Sequence, residues 1–178
     1  MTDPQPADAA HPPRDPNRKL VERTSARVLL IDDAGRVLLV HGLDPSEPEK
    51  GSWHFPVGGG VEDGESLEQA ARREVTEETG ISDIHLGPHI WNREVEFPFL
   101  EDLWLVQQER YFVARTSTTE LDDSGFTELE RRQIVGLRWW TAADLAATAD
   151  IVYPTALKTA LADLVRGIYP AHPIDIGY

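Results

Sequence analysis

One stretch of 23 residues constrains this chain more than any other: Gly59 to Ile81, GGVEDGESLEQAARREVTEETGI. It reads as a glycine-rich loop running into a single amphipathic helix. Ser66 is a good N-cap residue and Gln69, three positions on, closes a capping box with it. Gly80 stands where the helix should stop, in the left-handed position that follows a last turn. At about 100° per residue, Leu67, Ala70, Ala71 and Val75 fall on one stripe that should face a core. Glu68, Gln69, Arg72 and Thr76 fall on the opposite side.

The acids break this pattern. Glu74 and Glu78 lie on the apolar stripe and Glu77 lies at its edge. Carboxylates three and four positions apart on a helix are neighbours and repel one another. Turning them toward the body of the protein adds a desolvation cost. A solvated acidic helix face is the plain alternative, whereas a multivalent cation removes both penalties. Ligands that are all oxygen suit a hard ion, Mg²⁺ or Mn²⁺, rather than zinc. Arg73 stands four residues before Glu77, the spacing of an orienting ion pair.

The stretch resembles the signature of the Nudix hydrolases, the MutT-like enzymes: G-x5-E-x7-R-E-U-x-E-E-x-G-U, where U is a bulky aliphatic residue. Gly59, Glu65, Arg73, Glu74, Val75, Glu77, Glu78, Gly80 and Ile81 fill every specified position. The resemblance implies an α/β fold, the α/β/α sandwich with a mixed β-sheet, reaching from about residue 24 to about residue 166. It implies hydrolysis of the pyrophosphate linkage in a nucleoside diphosphate joined to another moiety X, with Mg²⁺ (or Mn²⁺) as cofactor. Glu74, Glu77 and Glu78 become the metal-binding set, with the carbonyl of Gly58 beside them. Glu74 or Glu77 helps activate water, and Arg73 and Glu65 support them, Arg73 by fixing the rotamer of a glutamate. Relatives also draw a later carboxylate into the site; Glu128 and Glu130 are the candidates here.

Composition bounds the rest. A chain of 178 residues suits one compact domain. A formal net charge of −14 argues against a nucleic-acid backbone or an anionic membrane as partner. It leaves room for a small phosphorylated substrate, because a bound metal reverses the local sign. There is no cysteine, hence no disulfide and no thiolate nucleophile, which fits the cytoplasm. No apolar run approaches membrane-spanning length, and residues 1–19 lack the apolar stretch of a signal peptide. The expected partner is a small nucleoside diphosphate derivative; a homodimer is an admissible assembly.

In chain order, residues 1–19 are proline-rich and read as a loose tail in which His11 is idle. The domain should occupy 20–168, with 169–178 a second loose tail. Ser25–Ile31 and Arg36–His41 read as a hairpin around Asp32-Asp33-Ala34-Gly35, and Gly42–Ser52 as a surface loop. Trp53–Val57 reads as the short strand that leads into the glycines, with Val57 where most relatives have glycine. Trp53, Phe55 and His54 are assigned to structure before substrate. Ile84–Phe97 and Leu103–Arg115 read as strands, and Pro98 should break their pairing. Gln108 and Arg110 of the second strand are either substrate-facing residues that meet phosphate or base edges, or plain outward-facing polar positions. Leu121–Phe126 is a loop and Thr127–Ile134 a short helix. Val135–Trp140 is a strand with Trp139 and Trp140 on its inward and outward faces. Thr141 should cap a helix over Ala142–Ala147, and Pro154 should open a last helix that reaches Arg166 and buries Leu157, Leu161, Leu164 and Val165.

Two other readings compete. One is a Nudix-fold module that binds a nucleotide without cleaving it, though such modules have damaged signatures and this one is intact. Another is prenyl diphosphate isomerisation, which in its common form needs a cysteine. RNA decapping is disfavoured by the acidic balance. The proline of the ADP-ribose subgroup and the tyrosine of the diadenosine polyphosphate subgroup find no clean counterpart among Glu96, Phe97, Pro98 and Phe99.

Overall fold

A computed structural model describes residues 14–43, 51–99, 102–122, 124–126, 128 and 130–177. The fold is organised by β1 (Lys19–Asp32), whose second half, from Ser25 on, is almost continuously buried. A strand buried on both faces reads as an unbroken apolar run, as Val28–Ile31 does. β1 pairs in parallel with β5 (Leu103–Thr116) over its whole length, from Lys19↔Leu103 to Asp32↔Thr116. On its other side it pairs antiparallel with β3 (Ser52–Gly60), with Ala26 opposite Gly59 and Arg27 opposite Gly58.

The expected hairpin forms between β1 and β2 (Val37–Leu43), but the two strands touch only at Ile31↔Val37 before β3 comes between them. Its turn is set by Asp32, whose Oδ1 accepts from the N–H groups of Ala34 and Arg36 at 3.0 and 2.8 Å, and by Gly35 at φ 74°. The sheet order is β6-β2-β3-β1-β5-β4-β8, with β4 (His85–Phe99), β6 (Ile134–Trp140) and β8 (Ile174–Asp175); β7 (Ile151–Val152) pairs with β3.

Both faces of the sheet are covered, which makes the expected α/β/α sandwich. On one face α1 (Leu67–Thr79) sets Ala70, Ala71 and Val75 against Ala26, Val28, Leu30, Phe112 and Ala114. On the other, α3 (Ala142–Ala147) and α4 (Leu157–Val165) bring Leu145, Leu157, Leu161 and Leu164 against Leu29, Ile31, Tyr111 and Val113. Each fully buried leucine contributes roughly 2 kcal/mol. The capping box that opens α3 is present as read: Asp144 N donates to Thr141 Oγ1 at 3.0 Å and Thr141 N to Asp144 Oδ2 at 2.9 Å.

Several expectations need correction. Pro98 does not end the pairing: it stands opposite Trp104 inside the β4–β5 ladder. The outer edge of β4 carries β8 only at Trp91 and Asn92, and an edge strand tolerates a missing N–H. Pro154 precedes the last helix rather than opening it. Its carbonyl accepts from Leu157 N at 3.0 Å in a turn, and α4 starts after Ala156. Trp139 and Trp140 do take opposite faces, yet neither faces outward, since Trp140 lies in the α3/α4 core and Trp139 packs on the α1 side. The helix expected over 127–134 is, among the described residues, the short α2 (Glu130–Gln133), and Ile134 already belongs to β6.

The segment after residue 168 is not wholly loose, because β8 pairs in parallel with Trp91 and Asn92. Residues 14–18 are also tied down: Arg14 grips both oxygens of Glu96, and Arg18 reaches the Leu103 carbonyl at 3.3 Å. His11 and positions 44–50 of the expected loop lie outside the described residues, while Gly42, Leu43 and Ser52 are strand residues.

Candidate active site

The helix that carries the acids begins and ends where its sequence says. Gln69 N donates to Ser66 Oγ at 3.2 Å and Ser66 N to Gln69 Oε1 at 2.8 Å, the two halves of the capping box. Gly80, at φ 73°, gives its N–H to the Thr76 carbonyl at 2.9 Å and ends the last turn.

Between those ends two glutamates are buried. Glu74 is 7% exposed and Glu78 5%. They fit because the end of β3 beneath them, Gly58 to Gly60, has no side chains. A Cβ on Gly59 would meet the Glu74 carboxylate oxygens at 2.6 Å, so glycine there is what lets the helix carry a carboxylate against the sheet. Glu78 Oε2 accepts from the Gly58 N–H at 2.7 Å. Glu77 points outward, with just over half of its side chain exposed.

Arg73 ties the acids together. Its Nε and Nη2 grip the two oxygens of Glu65 at 2.9 and 3.0 Å, Nη1 reaches Glu74 at 2.8 Å and Glu77 at 3.0 Å, and Nη2 also donates to the Gly60 carbonyl at 2.8 Å. The predicted Arg73–Glu77 pair is present, but the bidentate partner is Glu65. That fork pins the loop of residues 60–66 onto the helix. Hydrogen bonding to Glu65, with Glu74 and Glu77 adding to it, raises the guanidinium pKa against the effect of burial. The same bond holds the Glu65 carboxyl below the usual carboxylate range. Burial pushes the Glu74 carboxyl above it, and Arg73 only partly offsets that.

Among the described residues no three His, Asp or Glu side chains are already gathered closely enough to hold a metal ion. The donor chemistry nevertheless fits a hard divalent cation. Glu74, Glu77 and Glu78 share one helix face and offer only oxygens; two of them are buried, with Arg73 bonded to Glu74 and Arg27 near enough for its charge to act on Glu74 and Glu78. The Gly58 carbonyl, expected as a further donor, accepts a hydrogen bond from Arg27 Nη1.

Arg27 belongs to a group the sequence reading missed. Its Nε donates to Glu109 Oε1 at 3.1 Å. Glu109, 4% exposed, also accepts from Gln107 Nε2 at 2.9 Å, Arg93 Nη1 at 3.2 Å and the Tyr111 hydroxyl. Burial alone would lift the Glu109 carboxyl, but Arg27 and Arg93 hold it low; burial beside Glu109 raises the Tyr111 phenol. Strand parity puts Gln107 and Glu109 in one set with buried Leu105, Tyr111 and Val113, but Trp104, Val106, Phe112 and Ala114 of the other set are buried too, so parity alone does not single them out.

Gln108 and Arg110, the residues chosen from β5, have the other parity and share the α1 face with Glu74. Arg110 is opposite Ala26, which is opposite Gly59, so two strand spacings, about 10 Å, separate it from the glycine under Glu74. Gln108 donates to Glu94, and among the described residues Arg110 reaches Gln108 Oε1 at 3.5 Å and the Glu109 carbonyl at 3.2 Å. Asn92, opposite Arg110 on β4, keeps a buried Oδ1 without a partner among the described residues. Glu128 is exposed in the turn before α2, which Glu130 opens.

His54, expected as a structural histidine with its hydrogen bonds satisfied, is buried but keeps an Nδ1 without a partner among the described residues. It is 5% exposed, stacks on His41 at 4.5 Å between ring centres, and meets Asp150 at 3.3 Å. Burial, with His41 beside it, depresses its pKa. A surface cavity of about 270 Å³, lined by Ser124, Phe126, Arg131, Ile134, Val135 and Gly136, lies apart from the buried glutamates. It adjoins the loop that abuts the last turn of α1, where Asp122 N donates to the Thr79 carbonyl at 2.9 Å.

This arrangement has counterparts. The NUDIX domain family model matches residues 21–159. An RNA pyrophosphohydrolase of Sphingopyxis alaskensis is 30% identical over 145 residues, covering 76% of this chain and 86% of the relative. One from Caulobacter vibrioides is 44% identical over 64 residues, but the match spans only 36% of each chain, about a third of that relative's length. Among solved structures, a NUDIX-family hydrolase from Clostridium perfringens superposes with a TM-score of 0.56 at 21% identity, over 81% of this chain and 98% of that one. A dihydroneopterin triphosphate pyrophosphohydrolase from E. coli gives 0.52 at 24% identity, over 83% and 99%. At such identities the structures speak for the fold alone. The family model and the Sphingopyxis relative, each matched across most of the chain, decide the family: the chain belongs to the NUDIX hydrolases.

Proposed function

We propose that the chain is a metal-dependent pyrophosphohydrolase acting on a nucleoside diphosphate joined to a second moiety X. The observation that carries this is the burial of Glu74 and Glu78 against Gly59 and Gly58, a placement unfavourable for carboxylates with no cation to bind. Glu74, Glu77 and Glu78 would hold Mg²⁺ (or Mn²⁺), and the Gly58 carbonyl keeps a second lone pair for it beside the bond from Arg27. When bound, such an ion neutralises the diphosphate and lowers the pKa of attacking water.

The protein's own groups do the rest. Glu74 or Glu77 takes the proton from that water. Glu74 stands buried against Gly59, and Glu77 is open to solvent. Arg73 holds both rotamers from one side. Gln108 and Arg110 lie on the same sheet face, where they would meet the substrate beyond the diphosphate.

A second reading follows from the relatives named RNA pyrophosphohydrolase: X would then be the 5′ end of an RNA. The net charge of −14 disfavours a long polyanion, so the small-molecule reading leads. Phosphate release from a panel of nucleoside diphosphate derivatives, nucleoside triphosphates and 5′-triphosphorylated RNA, with Mg²⁺ and with Mn²⁺, separates the two. Glu78→Gln keeps an acceptor for the Gly58 N–H, so it should remain folded by circular dichroism and lose at least 100-fold in rate. Wild-type rates in that variant would overturn the assignment.

A further inference from the structure

The glycine run under the glutamates is held from both sides of one residue. On one side the Gly58 N–H donates to Glu78 at 2.7 Å. On the other the Gly58 carbonyl accepts from Arg27. The residue between these bonds has φ 129°, a conformation that side chains rarely adopt, and a Cβ there would meet the Ala26 carbonyl oxygen at 2.1 Å. An unusual backbone conformation persists only where its surroundings over-determine it. Arg27 and Glu78 are the two side chains that grip this one.

Arg27 is not free to wander. Its Nε is fixed by Glu109 at 3.1 Å, and Glu109 has each oxygen engaged twice: Oε1 by Arg27 and Gln107, Oε2 by Arg93 and Tyr111. A carboxylate has about four acceptor sites, so this one is saturated and rigid. The register places Arg27 opposite Tyr111, in the sheet face away from α1, so the network stands behind the glycine run while the glutamates stand in front of it. The side chains are mostly buried, with Arg27 16%, Arg93 10% and Glu109 5% exposed.

We infer that Arg27, locked by Glu109, is a positioning residue that sets the Gly58 peptide and, through its N–H, the Glu78 carboxylate. The role rests on the proposed metal-binding reading of Glu78, but not on turnover. A planar guanidinium spans Glu109 and the Gly58 carbonyl at once, whereas an ammonium is a single point. Lysine should therefore keep the charge and lose the function.

Two measurements test this, both without substrate. The first is amide hydrogen exchange in the metal-free protein. Arg27→Gln and Arg27→Lys should each speed exchange at Gly58 at least 10-fold and leave the α4 amides at wild-type rates. The second is Mn²⁺ affinity by electron paramagnetic resonance. Removing a positive charge near carboxylates would, by Coulomb attraction alone, tighten metal binding. Positioning demands the reverse: at least fivefold weaker binding in both variants. Unchanged exchange at Gly58, tighter Mn²⁺ binding in Arg27→Gln, or wild-type behaviour of Arg27→Lys would each overturn the inference. A wild-type protein that binds no Mn²⁺ would sink the metal site instead, and the exchange result would still decide the role of Arg27.

Discussion

Glu74 shows at a single residue how a functional site departs from what folding alone would choose. Its carboxyl sits against the backbone of Gly59 with Arg73 as its hydrogen-bond donor, and burial raises its pKa. The sign of the consequence is fixed by linkage. A carboxyl whose folded pKa lies above its unfolded value favours the native state only while both are protonated. As pH climbs past the unfolded carboxylate range, near 4.3, the unfolded chain releases its proton first and stability is lost. Glu74→Gln should thus melt with the wild type near pH 4 and above it at pH 7, in chelator. The expected result is a higher melting temperature for the variant at pH 7 that closes as the pH falls toward 4. Differential scanning calorimetry across that range checks it; a variant that melts lower at pH 7 would mean that the lost bond to Arg73 outweighs the relieved burial. This part of the site was legible in the sequence, because helix periodicity alone puts positions 74 and 78 on the apolar stripe. Glu109 was not. In a strand covered on both faces each parity is buried, and only the partners across the sheet tell which polar residue is the networked one.

At the scale of elements, local chemistry and long-range pairing divide what could be read. The ends of α1 and α3 are local: Ser66 with Gln69, Gly80, and Thr141 with Asp144 make the caps that their spacing announces. Pro98 and Pro154 are not. Whether a proline interrupts a strand depends on which edge is free, and β4 gained its free edge from the sheet order, not from its own residues. Whether a proline opens a helix depends on the turn before it, and here the Pro154 carbonyl closes that turn. The caps give a measurable handle. Ser66→Ala removes the acceptor for the Gln69 N–H on an exposed surface and should cost about 1 kcal/mol. It should shift the urea midpoint without changing the slope, since no extra area is exposed. A loss under 0.3 kcal/mol would show that the bonds of Arg73 to Glu65 and the Gly60 carbonyl hold the start of α1 without its cap.

For the whole molecule, the strand order could not be read from one sequence. The parallel contact of β1 with β5 joins segments more than eighty residues apart, and β8 returns to β4 from the end of the chain. What composition did bound was the electrostatic problem: a net charge of −14, with two of the acids turned inward on one helix. The proposed reading has a thermodynamic consequence that needs no substrate. A ligand that binds only the native state stabilises it by RT ln(1 + [L]/Kd), about 2.7 kcal/mol at 100 times Kd. At the 2–4 °C per kcal/mol of a domain this size, saturating Mg²⁺ should raise the melting temperature by roughly 5–11 °C. Screening must be separated from binding, because any salt quiets the self-repulsion of so acidic a chain. The comparison is therefore Mg²⁺ against NaCl at equal ionic strength, in the wild type and in Glu78→Gln. A site predicts a large increment with Mg²⁺ over NaCl that Glu78→Gln abolishes. Equal shifts with the two salts would reduce the effect to screening, and the inward acids would then need an explanation other than a cation.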